Sequence, residues 1–191
     1  NALKYYQKAL SLNPNDKSLY LNIAQIYNSK NNFTEAAKYS KEAMIRFPDD
    51  KQVKTLNSEI NSRQAGAIYE EATKLRDSGK YTEALAAYNK IPNQGYETYV
   101  GIAGVYQLLK DYPHAIEYYK KALTLKPYDE EVSVALAGVY IYDNNNKEAE
   151  PLLKNVLAKN PNNTQAKEFL AYINKNNAET IIQTADQKSV V

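Results

Sequence analysis

LAGVY at residues 136–140 repeats, with one change, IAGVY at 102–106, thirty-four residues earlier. A third relative, IAQIY, stands at 23–27, which is 79 residues before the second, and 79 is not a multiple of 34. Leu136, Ala137 and Tyr140 fall on one stripe of a helix, as do Ile102, Ala103 and Tyr106, and Ile23, Ala24 and Tyr27. A chain that repeats one amphipathic helix is built of stacked units, and the interval of 79 marks one break in their register.

A second position recurs behind the first. Ala36, Ala84, Ala115 and Ala149 close the runs FTEA (33–36), YTEA (81–84), YPHA (112–115) and NKEA (146–149). Twelve residues after Ala2, Ala36, Ala115 and Ala149 stand Pro14, Pro48, Pro127 and Pro161. A small residue lets two helices approach, and a proline ends the second one because its predecessor is pushed out of helical geometry. Asn15-Asp16, Asp49-Asp50, Asp129 and Asn162-Asn163-Thr164 follow the prolines, and their side chains suit the orphan amides of the next helix.

The pattern resembles the tetratricopeptide repeat, W-x2-L-G-x2-Y, then A-x3-F, then P, within 34 residues. Tyr20-x2-Ile23-Ala24-x2-Tyr27 leads to Ala36 and Pro48, and Tyr99-x2-Ile102-Ala103-x2-Tyr106 leads to Ala115, Tyr119 and Pro127. Leu136-Ala137-x2-Tyr140 leads to Ala149, Leu153 and Pro161. Ser133 and Ile68 replace the large aromatic, Ser40 replaces the Phe, and no Pro closes the unit of Ala84. The resemblance implies an all-α, right-handed solenoid of antiparallel helix pairs, in which each pair needs a neighbour to bury its stripe.

Units begin near Lys17, Lys51, Ala65, Tyr96, Glu130 and Thr164, at intervals of 34, 14, 31, 34 and 34. The first three account for the 79. The unit at Lys51 has a first helix (Val53, Leu56, Ile60) and no second, and the unit at Ala65 stops at Ile91-Pro92-Asn93-Gln94-Gly95. A slip of 14 residues turns a helix by about 1,400°, roughly 40° short of four full turns. Residues 51–78 are therefore expected to form one long helix shared by two blocks. The expected organisation is 1–63, starting inside a repeat, then 64–175 with a closing helix at 164–175, then a polar tail at 176–191. The tail carries the apolar island Ile181-Ile182 and is expected to be disordered or a short docking segment. Starting at Asn1, inside a repeat, the chain reads as a fragment of a longer protein.

Composition narrows the functions. Hydrophobic residues make up 43% and charged residues 24% of 191, as in an ordinary folded protein. A net charge of +2 gives no nucleic-acid or anionic-membrane surface. Residues 1–64 hold ten Lys/Arg against six Asp/Glu, and 96–163 hold seven against nine. With no cysteine there is no disulfide or thiolate metal site, which favours the cytoplasm and also fits an exported or periplasmic protein. No apolar run reaches the roughly 18 residues of a membrane span.

Chemistry is scarce. His114, the single histidine, follows Pro113 beside Asp111 and has no second His or Cys to form a metal site or acid–base pair. Asp129-Glu130-Glu131 sits where a helix dipole favours acids. Phosphate-loop, nucleophile-elbow and zinc-helix motifs are absent from the sequence. Eighteen tyrosines suggest stacking on single-stranded nucleic acid, but Tyr27, Tyr106 and Tyr140 fall on the core stripe, with Tyr6 and Tyr119 at the Phe position. Asn32-Phe33-Thr34 and Asn162-Asn163-Thr164 read as turn and cap chemistry. No catalytic residue, cofactor or metal is expected.

In the resembled family, partners lie in the concave groove lined by unit positions 2, 5, 9, 12 and 13. These positions fall on Ser18, Leu21, Gln25, Asn28 and Ser29, and on Gly66, Tyr69, Thr73, Arg76 and Asp77. They continue on Glu97, Val100, Gly104, Gln107 and Leu108, and on Glu131, Val134, Gly138, Ile141 and Tyr142. The Lys/Asn/Arg clamp that grips chaperone tails in that family is missing here, where Leu21, Gln25, Tyr69, Val100 and Val134 stand, so heat-shock-protein tails are disfavoured. Gly104 and Gly138, in register, are expected to open an apolar channel for a peptide. The expected function is a non-enzymatic adaptor for a peptide or protein partner. The alternatives are a self-associating homo-oligomer, formed through end helices or a tail that fills a groove, and the docking arm of a larger enzyme.

Overall fold

The computed structural model describes the backbone of residues 2–189, and the side chains of 2–177 and Glu179. The described residues form ten helices and no strand. These are α1 (Ala2–Leu12), α2 (Lys17–Ser29), α3 (Phe33–Arg46), α4 (Lys51–Asp77) and α5 (Tyr81–Tyr88), then α6 (Tyr96–Leu108), α7 (Tyr112–Leu125), α8 (Glu130–Tyr142), α9 (Asn146–Lys159) and α10 (Thr164–Ser189).

Four helix starts use the capping residues expected from sequence. Asp16 accepts from the Ser18 amide at 2.9 Å, Asp50 from Gln52 and Val53 at 2.9 and 3.1 Å, Asp129 from Val132 at 2.9 Å, and Asn163 from Ala166 at 2.7 Å. The turns inside the pairs have a signature of their own. Asn31, Gly79, Lys110 and Asn144 all take φ between 57° and 74°. Asn and Gly tolerate that left-handed conformation. Their intervals of 48 (34 plus 14), 31 and 34 reproduce the broken register of the units.

The chain divides into two compact units. One holds the residues up to Lys74 with Lys90–Pro92, and the other holds Leu75–Asn89 with the chain from Asn93 onward. In the first, Tyr20 packs with Ala43 and Val53, and Ala24 with Ala36 and Ile60, so the α2/α3 pair closes against α4. In the second, Ala103, Ala115, Tyr119, Ala137, Tyr140, Ala149, Leu153 and Ile173 belong to one core running from α6 to α10. Ala36, Ala84, Ala115 and Ala149 are fully buried, as their role at the helix contacts requires. Tyr140 and Tyr119 are buried, whereas Tyr6, Tyr27 and Tyr106 are only half-buried. Tyr27 stacks on Tyr39 with centroids 5.8 Å apart, and Tyr106 on Tyr118 at the same distance.

The long shared helix is present. α4 is continuous for 27 residues through Arg63–Gly66. The closing helix differs from expectation: it does not end at Lys175 but continues to Ser189 as part of α10. Asn-Ala-Glu-Thr-Ile-Ile-Gln-Thr-Ala contains neither proline nor glycine, and Ala, Glu and Gln are good helix formers, so nothing local stops the propagation. The docking expectation for Ile181-Ile182 falls on side chains outside the described residues.

One ion pair ties α2 to the start of α4 and makes stability depend on pH. Lys17 Nζ lies 2.7 Å from Asp50 Oδ2. The Lys17 hydrogen bond, helped by the Val53 amide, holds the Asp50 carboxyl below its ordinary value of 3.8. At Asp129 burial pushes upward, but the Tyr96 hydroxyl and the Val132 amide outweigh it and the net shift is again downward. A carboxyl depressed in the folded state stabilises fully above its unfolded pKa, and that stability is lost as pH falls through the folded value. Urea midpoints are therefore expected to stay flat from neutrality to about pH 5 and to decline below about pH 4. Lys17→Met should make that decline shallower, and an unchanged slope would remove Asp50 as a cause.

Candidate functional site

The second unit brings together most of the groove positions on α8. One depression of about 450 Å³ is lined by Gln107 of α6, by Glu131, Val134, Ala135, Gly138 and Tyr142 of α8, and by Asn163, Gln165 and Phe169 at α10. A second, of about 370 Å³, adjoins it along Gly138, Tyr142 and Phe169 and adds Ile141, Asn144, Glu168 and Tyr172. Val134 is buried and forms part of the floor, Ile141 is half-buried, and Glu131 and Tyr142 are exposed. Tyr142 stacks on Tyr112, centroids 6.1 Å apart, so its ring is held in place at the rim. Tyr119 donates to Gln107 Oε1 at 2.9 Å, which fixes that amide from beneath.

The contribution of α10 was legible but not used in the sequence reading. Counting positions 2, 5 and 9 from Thr164 gives Gln165, Glu168 and Tyr172, all of which line the two depressions. Treated as a closing helix, that unit was assigned no groove face.

The two in-register glycines are not equivalent. A Cβ on Gly104 would meet nothing within 4 Å. At Gly138 it would stand 3.1 Å from the Phe169 ring, so this glycine makes room for α10. Val100 packs half-buried against the core of the second unit, and Leu108 is exposed at the end of α6. Neither they nor Gly104 line the two depressions. Arg76 is half-buried and paired with Asp77 at 2.8 Å.

In the first unit the groove positions are more scattered. Leu21 is half-buried against the Tyr20 cluster and Gln25 is exposed on α2, while Tyr69 and Thr73 are half-buried on α4. Asn28 is a correction: it is fully buried and unavailable to a partner. Its Nδ2 donates to Glu59 Oε1 at 3.0 Å, and Arg63 Nη1 donates to its Oδ1 at 2.7 Å and its carbonyl at 3.1 Å. Arg63 Nη2 reaches Asn31 Oδ1 at 2.9 Å, and the guanidinium lies over the Phe33 ring at 5.1 Å. The long α4 delivers Glu59 and Arg63 to the end of α2, which turns a groove position into a strut.

His114 is held by Asp111 at 2.8 Å and stacks on Tyr106 with centroids 4.9 Å apart. Among the described residues no three His, Cys, Asp or Glu side chains cluster as a metal site would need, and no helix is long and apolar enough to cross a membrane. The arrangement offers apolar contact, amide hydrogen bonds and two carboxylates, the chemistry of recognition.

Solved structures share this fold. A tetratricopeptide repeat protein from Parabacteroides merdae is 20% identical with a TM-score of 0.56 over 85% of this chain and 60% of its own. This chain thus spans less than two thirds of that protein. The first repeat domain of Spaghetti (RPAP3), bound to the HSP90 peptide SRMEEVD, is 24% identical with a TM-score of 0.57 over 61% and 95%. The second repeat domain of human RPAP3, with the HSP70 peptide SGPTIEEVD, is 20% identical with a TM-score of 0.55 over 60% and 98%. No curated protein is similar enough in sequence to match. Family profiles described as tetratricopeptide repeat match residues 1–60 and 107–173, and a second matches 69–130. With its repeat phase, paired helices and buried small residues in accord, the chain belongs to the tetratricopeptide repeat family.

Proposed function

We propose that the protein is a non-enzymatic adaptor that holds a peptide or a segment of a partner protein in the groove of its second unit. The observation that carries this reading is the junction of the two depressions along Gly138, Tyr142 and Phe169. They form a trough with an apolar floor, and amide side chains at Gln107, Asn163 and Gln165 stand ready to satisfy a bound backbone. The family works as a protein-interaction module, and the two RPAP3 domains hold peptides. Those peptides end in EEVD, whereas Glu131 and Glu168 face this trough, and among the described residues no Lys or Arg lines it. Acidic chaperone tails are therefore poor candidates for this chain.

The test fills the trough with side chains at positions that have room. Gly104→Phe together with Gln165→Trp adds bulk from α6 and α10, where Gly104 has no neighbour and Gln165 is exposed. Proteins captured from lysate by the native chain should be lost at least ten-fold with the double variant, while helical circular dichroism stays unchanged. Equal capture by both would move the binding surface elsewhere.

A further inference from the structure

We infer that the occupant of this trough is a basic amphipathic helix, an inference that rests on the groove reading above and adds the chemistry of the partner. The trough has two unlike rims. Glu97 on α6 and Glu131 on α8 stand at the N-terminal ends of their helices, and both are exposed. At the opposite ends stand exposed apolar side chains: Leu108 on α6, Tyr142 on α8 and Tyr172 on α10. Glu97 to Leu108 and Glu131 to Tyr142 are each eleven residues, about 16 Å of helix at 1.5 Å per residue.

That width decides the shape of the occupant. A helix with its side chains is about 10–12 Å across and lies between such rims while touching both. An extended strand is narrower and meets one rim at a time. Matching positions on neighbouring packed helices lie about 8–10 Å apart, close to the 10.5 Å of seven helical residues. The apolar side chains of the occupant therefore recur at i, i+3 or i+4, and i+7, facing Val134, Ile141 and Phe169.

Charge decides the flank. Glu131 and Glu168 line the depressions and make no ion pair among the described residues, while Glu97 shares Lys126 at 3.6 Å. With no cation in the lining, Lys or Arg on the flank facing Glu131 is attracted and Asp or Glu there is repelled. The helix lies across the ends of α6, α8 and α10 with its basic edge toward their N-termini and its apolar edge toward Tyr142 and Tyr172.

A library of random 16-residue peptides, selected on the purified native chain and counter-selected on the Gly104→Phe/Gln165→Trp variant, tests this. The expected enrichment is of net-positive peptides with Lys or Arg on one helical flank and apolar residues at heptad-like spacing, which gain helical circular dichroism on binding. Glu131→Lys with Glu168→Lys should weaken such a peptide at least ten-fold, and Glu131→Gln with Glu168→Gln should weaken it less. Trough-dependent peptides that are acidic, neutral or extended would overturn the inference and leave the groove reading standing. A concentration-dependent dimer abolished by the filled-trough variant would assign the trough to a second copy of the chain and also overturn it. Absence of enrichment, or peptides bound equally by the filled variant, would overturn the groove reading itself.

Discussion

Gly101→Val is expected to lower the unfolding free energy by about 3 kcal/mol, the upper part of the usual range for overpacking a core. A Cβ at this position would lie 2.7–2.9 Å from three atoms of the Tyr88 ring. Tyr88 is itself fully buried, so the ring has no open space into which to swing. Three residues further along the same helix, Gly104→Ala should do the opposite. Nothing lies within 4 Å of its Cβ, and removing a glycine from a helix interior gains about 0.5–1 kcal/mol. Urea unfolding followed at 222 nm should shift the two midpoints in opposite directions. A Gly101→Val midpoint equal to that of the native chain would show that Tyr88 can move.

Arg63→Ala should cost about 2 kcal/mol, although the arginine lies at the surface. The loss falls on Asn28, whose buried Oδ1 then has no donor, and an unsatisfied buried acceptor costs about 1–3 kcal/mol. Arg63→Lys should recover only part of it, because one ammonium cannot reproduce the planar fork that meets Asn28 and Asn31 together. Removing both polar groups in Asn28→Leu/Arg63→Ala should be milder than the sum of the single changes, since no orphan remains. Strict additivity in that cycle would show that the two side chains act independently.

The fold was legible because its signals are local and repeated. Ile or Leu, Ala and Tyr at fixed spacing, a small residue in the second helix and a closing proline each carry a steric reason, and the intervals located α4 as the irregular element. The end of α10 was not legible in the same way, because polarity was taken for the end of structure where only Pro or Gly would have stopped the helix. Groove positions transferred by counting worked where neighbours keep the 34-residue spacing, on α8 and, had it been applied, on α10. Counting failed at Asn28, where the 14-residue slip brings Glu59 and Arg63 against the end of α2. It also made Gly104 and Gly138 look alike, since sequence does not show that Phe169 fills the space over one of them.

The account stands or falls on where a bound peptide touches the chain. The most direct measurement is backbone amide chemical-shift mapping of the ¹⁵N-labelled protein titrated with a selected peptide. The predicted result is that the largest shifts gather at Gln107, Glu131, Gly138, Tyr142 and Phe169 and disappear in the filled-trough variant. Shifts concentrated on α7 and α9, with those five amides unmoved, would contradict it.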